Sequence, residues 1–151
     1  MKTEKEYTVF VVDDSEVYRA LILKTLESDK AVLGSRFKIK YYAFASGEEF
    51  IEKMWNLHPD IAVIDYHLNS AGYEKNMNRL QLIKYVNAKY PETDIIILSS
   101  QKNVEVVKEL LHKGVHEYIK KDITALHRVK ETIKKLLLIK EQSENKIEET
   151  L

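Results

Sequence analysis

Three short apolar runs do most to constrain the fold of this chain: Val9-Phe10-Val11-Val12, Ile61-Ala62-Val63-Ile64 and Ile95-Ile96-Ile97-Leu98. None alternates with polar residues, and β-branched side chains dominate. A strand with one face in water alternates. A strand covered on both faces reads as a continuous apolar run, which is the habit of parallel sheets. Runs of four residues are far too short to span a membrane.

Helical patterns fill the gaps between the runs. Residues 15–27 place Val17, Ala20, Leu21 and the stretch Leu23 to Leu26 on one broad apolar face. Ser46 and Glu49 have the spacing of a capping box, and the helix they open ends before Pro59. Residues 79–90 carry Leu80, Leu82, Ile83 and Val86 ahead of Pro91. Residues 103–113 carry Val104, Val107, Leu110 and Leu111, with Asn103 as cap and Gly114 as stop. Thr124 opens a last helix through Leu126, Val129, Ile133, Leu136 and Leu137. Two weaker strands complete the series. Phe37 to Phe44 begins by alternating with lysines and suits an edge, and Glu117 to Lys120 is short and half polar. Strand and helix thus alternate five times, which predicts an α/β fold with helices on both faces of a parallel sheet, joined by right-handed crossovers.

Composition narrows the function. The 151 residues suit one domain, and 44% hydrophobic content is enough for a core. Lysine plus arginine and aspartate plus glutamate are both 24, so no basic excess points to direct nucleic-acid binding. The absence of cysteine excludes disulfides, thiolate metal sites and a thiol nucleophile. The polar start Met1 to Glu6 lacks the apolar stretch of a signal peptide, so a cytoplasmic protein is expected, with no membrane partner.

In a doubly wound sheet, ligands sit beyond the carboxyl ends of the strands. Asp13 and Asp14 follow the first strand, Asp65 the third, Ser99 and Ser100 the fourth, and Lys120 and Lys121 the fifth. Crowded carboxylates repel unless a cation neutralises them, and a hard divalent ion with oxygen ligands, such as magnesium, does so. A carboxylate can accept a phosphoryl group, a transfer that needs mainly positioning and charge neutralisation. Taken singly, Asp13-Asp14 reads as a turn or helix cap, Asp65 as a strand-end cap, the serines as solvated loop and the lysines as surface charge.

Together these segments resemble the receiver domain of two-component response regulators. The resemblance rests on Val9 to Ser15, on Ile61 to Leu68, on Ile96 to Ser100 and on Gly114 to Lys121, in that order and spacing. It implies a flavodoxin-like (βα)5 fold with strand order 2-1-3-4-5. Asp65 would be phosphorylated by a sensor histidine kinase or phosphotransfer protein. Asp13, Asp14, Asp65 and the backbone carbonyl of His67 would hold Mg2+. Lys121 would pair with the phosphoryl group, Ser99 would move to hydrogen-bond it, and Tyr118 would change rotamer as an interaction face for a downstream protein rearranges. The module would be no enzyme beyond assisting its own phosphorylation and dephosphorylation. An unphosphorylated interaction module is the alternative. An aspartyl-phosphate phosphohydrolase fits less well, because no second acid stands two residues after Asp13.

Three departures stand out. Asp122 follows the lysine where the family usually has proline. The stretch from Asp65 to Leu80 is longer by roughly six residues, with Asn69 to Lys75 as the excess. Arg79 stands where the family has glycine. Residues 1–6 read as a polar tail, 7–139 as the receiver domain, and 140–151 as a polar helical or frayed extension. A continued helix there could support a homodimer. His112 and His116 are four apart, but Gly114 lies between them and argues against a zinc pair. Tyr41, Tyr42 and Trp55 read as core or groove packing.

Overall fold

A computed structural model describes residues 5–28, 37–66, 78–100, 105, 108–109 and 112–150. The strands are β1 (Glu6–Val12), β2 (Lys38–Phe44), β3 (Ile61–Asp65), β4 (Asp94–Ser99) and β5 (Glu117–Lys120). The helices are α1 (Glu16–Ser28), α2 (Gly47–Leu57), α3 (Arg79–Lys89) and α4 (Ala125–Thr150). Between β4 and β5, Glu105, Lys108, Glu109 and His112 are helical. All strand pairs are parallel, in the order β2-β1-β3-β4-β5.

Strand parity divides the core in two. Val9, Val11, Ile61, Val63, Ile96, Leu98 and Ile119 face α1 and α4, meeting Ile22, Leu26, Val129, Ile133 and Leu137. Phe10, Val12, Ala62, Ile64, Ile95 and Ile97 face α2 and α3, meeting Phe50, Met54, Leu82, Ile83 and Val86. The three unbroken runs are apolar throughout because both faces are covered.

Two packing expectations are corrected. The buried face of α1 is Ile22 and Leu26, with Tyr18 and Leu23 half-buried, while Val17 is 80% and Leu21 47% exposed. Apolar residues lie most of the way round this helix, and the crossover from β1 decides which arc meets the sheet. Trp55 is 72% exposed rather than packed. The inward face of α2 is Phe50 and Met54, four apart, and Trp55 lies one residue past it, about 100° further round the helix. Tyr41 and Tyr42 do pack, on opposite faces of the sheet.

Helix ends follow local chemistry. The Ser46 hydroxyl accepts from Glu49 N–H, and the Glu49 carboxylate reaches back to Ala45 N–H. His58 closes α2 in the left-handed region at φ 40°. Gly114 adopts φ +91°, and a Cβ there would come within 2.9 Å of the Asn87 side chain. Helix α4 runs to Thr150, past its last buried residue, Leu137. Its later turns are held by polar contacts: Lys140 Nζ lies 3.3 Å from Asp94, and Glu144 pairs with Lys5.

Candidate functional site

The site is built by register. Val12 of β1 pairs with Ile64 of β3, so the next residues, Asp13 and Asp65, emerge side by side at the carboxyl end of the sheet. Both are buried, at 0% and 1% exposure, while Asp14 is exposed at the rim. One carboxylate oxygen from each of Asp13, Asp14 and Asp65 lies within 4.8 Å of the others, the one such acidic or histidine cluster among the described residues.

Asp13 also serves the chain locally. Its Oδ1 accepts from Ser15 N–H at 2.8 Å, and Ser15 Oγ accepts from Tyr18 N–H at 3.2 Å at the start of α1. The turn-and-cap reading and the site reading are therefore both true of this residue, because a carboxylate has two oxygens. Its Oδ2 lies 3.4 Å from Lys121 Nζ.

Lys121 reaches the acids by parity. Ile119 points toward α1 and α4, so Lys121, two residues on, points the same way, while Lys120 is exposed. Lys121 Nζ stands 2.8 Å from Asp65 Oδ1 and lies over the Tyr18 ring at 4.1 Å. Burial works to lower the Lys121 pKa. The hydrogen bond it donates to Asp65 and the charges of Asp65 and Asp13 outweigh it, so the net shift is upward and the ammonium stays charged. The loop manages without proline. No cis peptide occurs among the described residues, Lys121 N–H donates to Ser99 O at 2.8 Å, and Asp122 accepts from both the N–H and the hydroxyl of Thr124. Asp122 is thus the turn residue that leads into α4.

Ser99 is buried at 1% exposure, and its hydroxyl donates to Tyr66 O at 2.6 Å. It stands beside Asp65 across the β3–β4 ladder, where Asp65 pairs with Leu98. Tyr118 pairs with Ile97 and is half-buried against the α2 and α3 side. His67 and the 69–75 segment lie outside the described residues, as does Asn103. His112 and His116 do not act as a pair: His116 Nε2 lies 3.1 Å from Asp94 Oδ1, and its Nδ1 accepts from Ile95 N–H at 3.2 Å.

Three contacts escaped sequence reasoning. Tyr18 carries the ring under Lys121. Arg19 Nη1 donates to Asp13 O at 2.8 Å, and Arg79 Nε donates to Asp65 O at 2.9 Å. Arg79 was visible as a departure from pattern, but its target is a main-chain atom 14 positions earlier, which spacing does not reveal.

Three carboxylates converge, and the contacting Lys121 offsets one of their charges. The donor set is all oxygen, which fits a hard divalent cation rather than zinc or copper. A doubly wound parallel sheet with an acid cluster and a lysine at its carboxyl edge is the arrangement that the resemblance to receiver domains implied. The family model for the response regulator receiver domain matches residues 9–134, and the chain belongs to that family. Among curated relatives, Regulator of RpoS of Escherichia coli (strain K12) is 23% identical over 83% of this chain and 33% of its own length. Protein-glutamate methylesterase/protein-glutamine glutaminase 5 of Geobacter metallireducens is 29% identical over 91% of this chain and 35% of its own length. The chain spans about a third of those two relatives. Two solved structures share the fold. The CheY-like receiver domain protein of Methanospirillum hungatei JF-1 has a TM-score of 0.69 at 17% identity, covering 91% of this chain and 99% of that one. The response regulator domain of Thermotoga maritima CheB has a TM-score of 0.65 at 23% identity, covering 89% and 96%. Receiver domains bind Mg2+ at an acidic cluster of this kind. They generally act in two-component signalling rather than as catalysts. No helix among the described residues is long and apolar enough to cross a membrane.

Proposed function

We propose that this chain is a phosphorylation-controlled switch in which Asp65 accepts a phosphoryl group from a histidine kinase or phosphotransfer protein. One observation carries the reading: a buried Asp65 with Lys121 Nζ at 2.8 Å and two further carboxylates in reach of one cation. A carboxylate oxygen of Asp65 attacks phosphorus in line. The phosphorus–nitrogen bond of the donor breaks, and the departing imidazole keeps that electron pair and takes a proton from solvent. Asp13, Asp14 and Asp65 would hold Mg2+, with His67 O as a further ligand. The ion supplies charge neutralisation for the transferring oxygens. Lys121 orients the Asp65 carboxylate before transfer and pairs with the phosphoryl oxygens after it.

The switch follows from Ser99. Its hydroxyl is committed to Tyr66 O, so donation to a phosphoryl oxygen on Asp65 requires that bond to break. Movement of the β4 end would be felt at Tyr118, whose strand pairs with β4. Tyr118 would then alter the face offered to a downstream protein, a local charge event biasing a two-state element. Exposed Val17 and Leu21 of α1, the helix that follows Asp13 and Asp14, and exposed Ile123, two residues after Lys121, would offer apolar surface to a docking phosphodonor. On α4, exposed Ile139 and Ile147 offer a face for a second copy of this chain.

The direct test is to incubate the protein with Mg2+ and a small acyl phosphate and to weigh it intact. One added phosphoryl group is expected, lost in Asp65→Asn. A folded sample that binds neither Mg2+ nor phosphoryl would refute the reading.

A further inference from the structure

Arg79 is the first residue of α3, and its place is set before its side chain is considered. Asn78 caps the helix by a reciprocal pair: Gln81 N–H donates to Asn78 Oδ1 at 2.8 Å, and Asn78 N–H donates to Gln81 Oε1 at 3.0 Å. From that fixed base the half-buried Arg79 side chain crosses to β3 and donates from Nε to the carbonyl oxygen of Asp65. Among the described residues this is the one hydrogen bond the Arg79 side chain makes. The acceptor is main chain, so the bond does not depend on the charge of the Asp65 carboxylate. A guanidinium carries five donors, and the Nε bond uses one.

The geometry points to Arg79 as a positioning residue for phosphoryl transfer, holding the Asp65 main chain as Arg19 holds that of Asp13, and placing a permanent cation on the β3 side of the acid cluster. This inference rests on the reading of Asp65 as phosphoacceptor. Lys121 comes to Asp65 from β5, and Arg79 comes from α3. A fixed positive charge beside three carboxylates has two opposed consequences. It weakens their attraction for a divalent cation, and it strengthens the attraction of the pocket for an anionic phosphodonor. Arginine suits this work because its charge is permanent and its planar fork matches phosphate oxygens.

The two consequences are measured separately on the full chain. Mg2+ affinity is titrated calorimetrically with no donor present, and KM for a small acyl phosphate is then read from the rate of phosphoryl adduct formation at saturating Mg2+. Arg79→Gln is expected to bind Mg2+ about three- to tenfold more tightly, the size of one charge contact removed at pocket range. Its KM for the acyl phosphate is expected to rise by about threefold or more as a charge-assisted contact is lost. Arg79→Lys keeps the charge and is expected within about twofold of the parent for Mg2+. Arg79→Gly, which restores the residue usual in the family, gives a second route and is expected to follow Arg79→Gln on both measures. A merely structural arginine would leave Mg2+ binding unchanged or weakened, and that result overturns the proposal, as does an unchanged donor KM. If the parent and Asp65→Asn alike take no phosphoryl group, the phosphoacceptor reading fails and the proposal falls with it. If the parent is phosphorylated and the Arg79 variants match it on both measures, only the proposal fails.

Discussion

The two ends of the sheet use the same kinds of residue in opposite ways. At the amino end, acids are matched. Asp94 meets His116 at 3.1 Å and Lys140 at 3.3 Å, Glu144 pairs with Lys5, and Asp60 Oδ2 accepts from Thr8 N–H at 2.8 Å. At the carboxyl end, three carboxylates converge with Lys121 as their contacting ammonium. Matched charges hold elements together: here they fasten the later turns of α4 to β1 and β4. Crowded carboxylates cost stability where they are buried, and groups held in such surroundings cluster at functional sites. An open groove of about 850 Å3 lies at the amino end, between α4 and the loops before β3 and β4, yet Asp60, Asp94 and Glu144 along it already have partners.

Substitutions at the two ends should therefore differ in kind. The largest effect is expected from Asp65→Asn: complete loss of the phosphoryl adduct by intact mass, with the fold retained by circular dichroism. Retained phosphorylation would erase the distinction between the ends. Next comes Asp13→Asn, expected to weaken Mg2+ binding by at least about tenfold in a calorimetric titration, since one charge is removed from the cluster. In the parent, Mg2+ at a hundred times its dissociation constant should add about 2.7 kcal/mol to unfolding stability, and at that same concentration a variant with tenfold weaker affinity should gain only about 1.4 kcal/mol.

At the other end Asp94→Asn should behave differently. It is expected to cost about 1 kcal/mol in urea unfolding, because its partners are partly exposed, and to leave Mg2+ affinity and phosphorylation untouched. A fall in either would show that the ends are coupled through the sheet. The last effect, confined to alkaline pH, concerns Tyr7, whose hydroxyl lies 3.4 Å from Glu144. Burial, followed by the Glu144 charge, pushes its pKa up to about 12 from 10.0. The unfolded chain then ionises first, so this contribution to stability is present below pH 10 and is lost as pH rises toward 12. Tyr7→Phe should flatten that part of the stability–pH profile, and an unchanged alkaline slope would count against the assignment.

Much of the frame was legible in the residues. The runs at β1, β3 and β4 announce strands covered on both faces because no polar residue interrupts them. Strand parity sends Lys120 and Lys121 to opposite faces, the family resemblance picks Lys121, and adjacency to a strand end singles out Asp13 and Asp65. Helix faces were harder to read. Val17 and Leu21 look like core on α1, yet Ile22 and Leu26 are what the sheet covers. Trp55 lies one residue past the buried Met54 and ends in solvent. A helix with apolar residues on most of its circumference does not state which arc turns inward. Only the crossover that docks it does.

The linear chain determined the alternation of strand and helix, the family it belongs to, and which residues stand at strand ends, because these depend on short-range pattern. Tertiary structure decided what required two distant segments to meet. The Val12–Ile64 register sets Asp13 beside Asp65, Lys121 rests on Tyr18, and Arg79 takes the Asp65 carbonyl. The later turns of α4 settle onto the base of β1 through Glu144. Hydrophobic periodicity is a property of neighbours along a chain. A hydrogen bond between residues far apart in sequence exists only after packing has fixed where both ends lie.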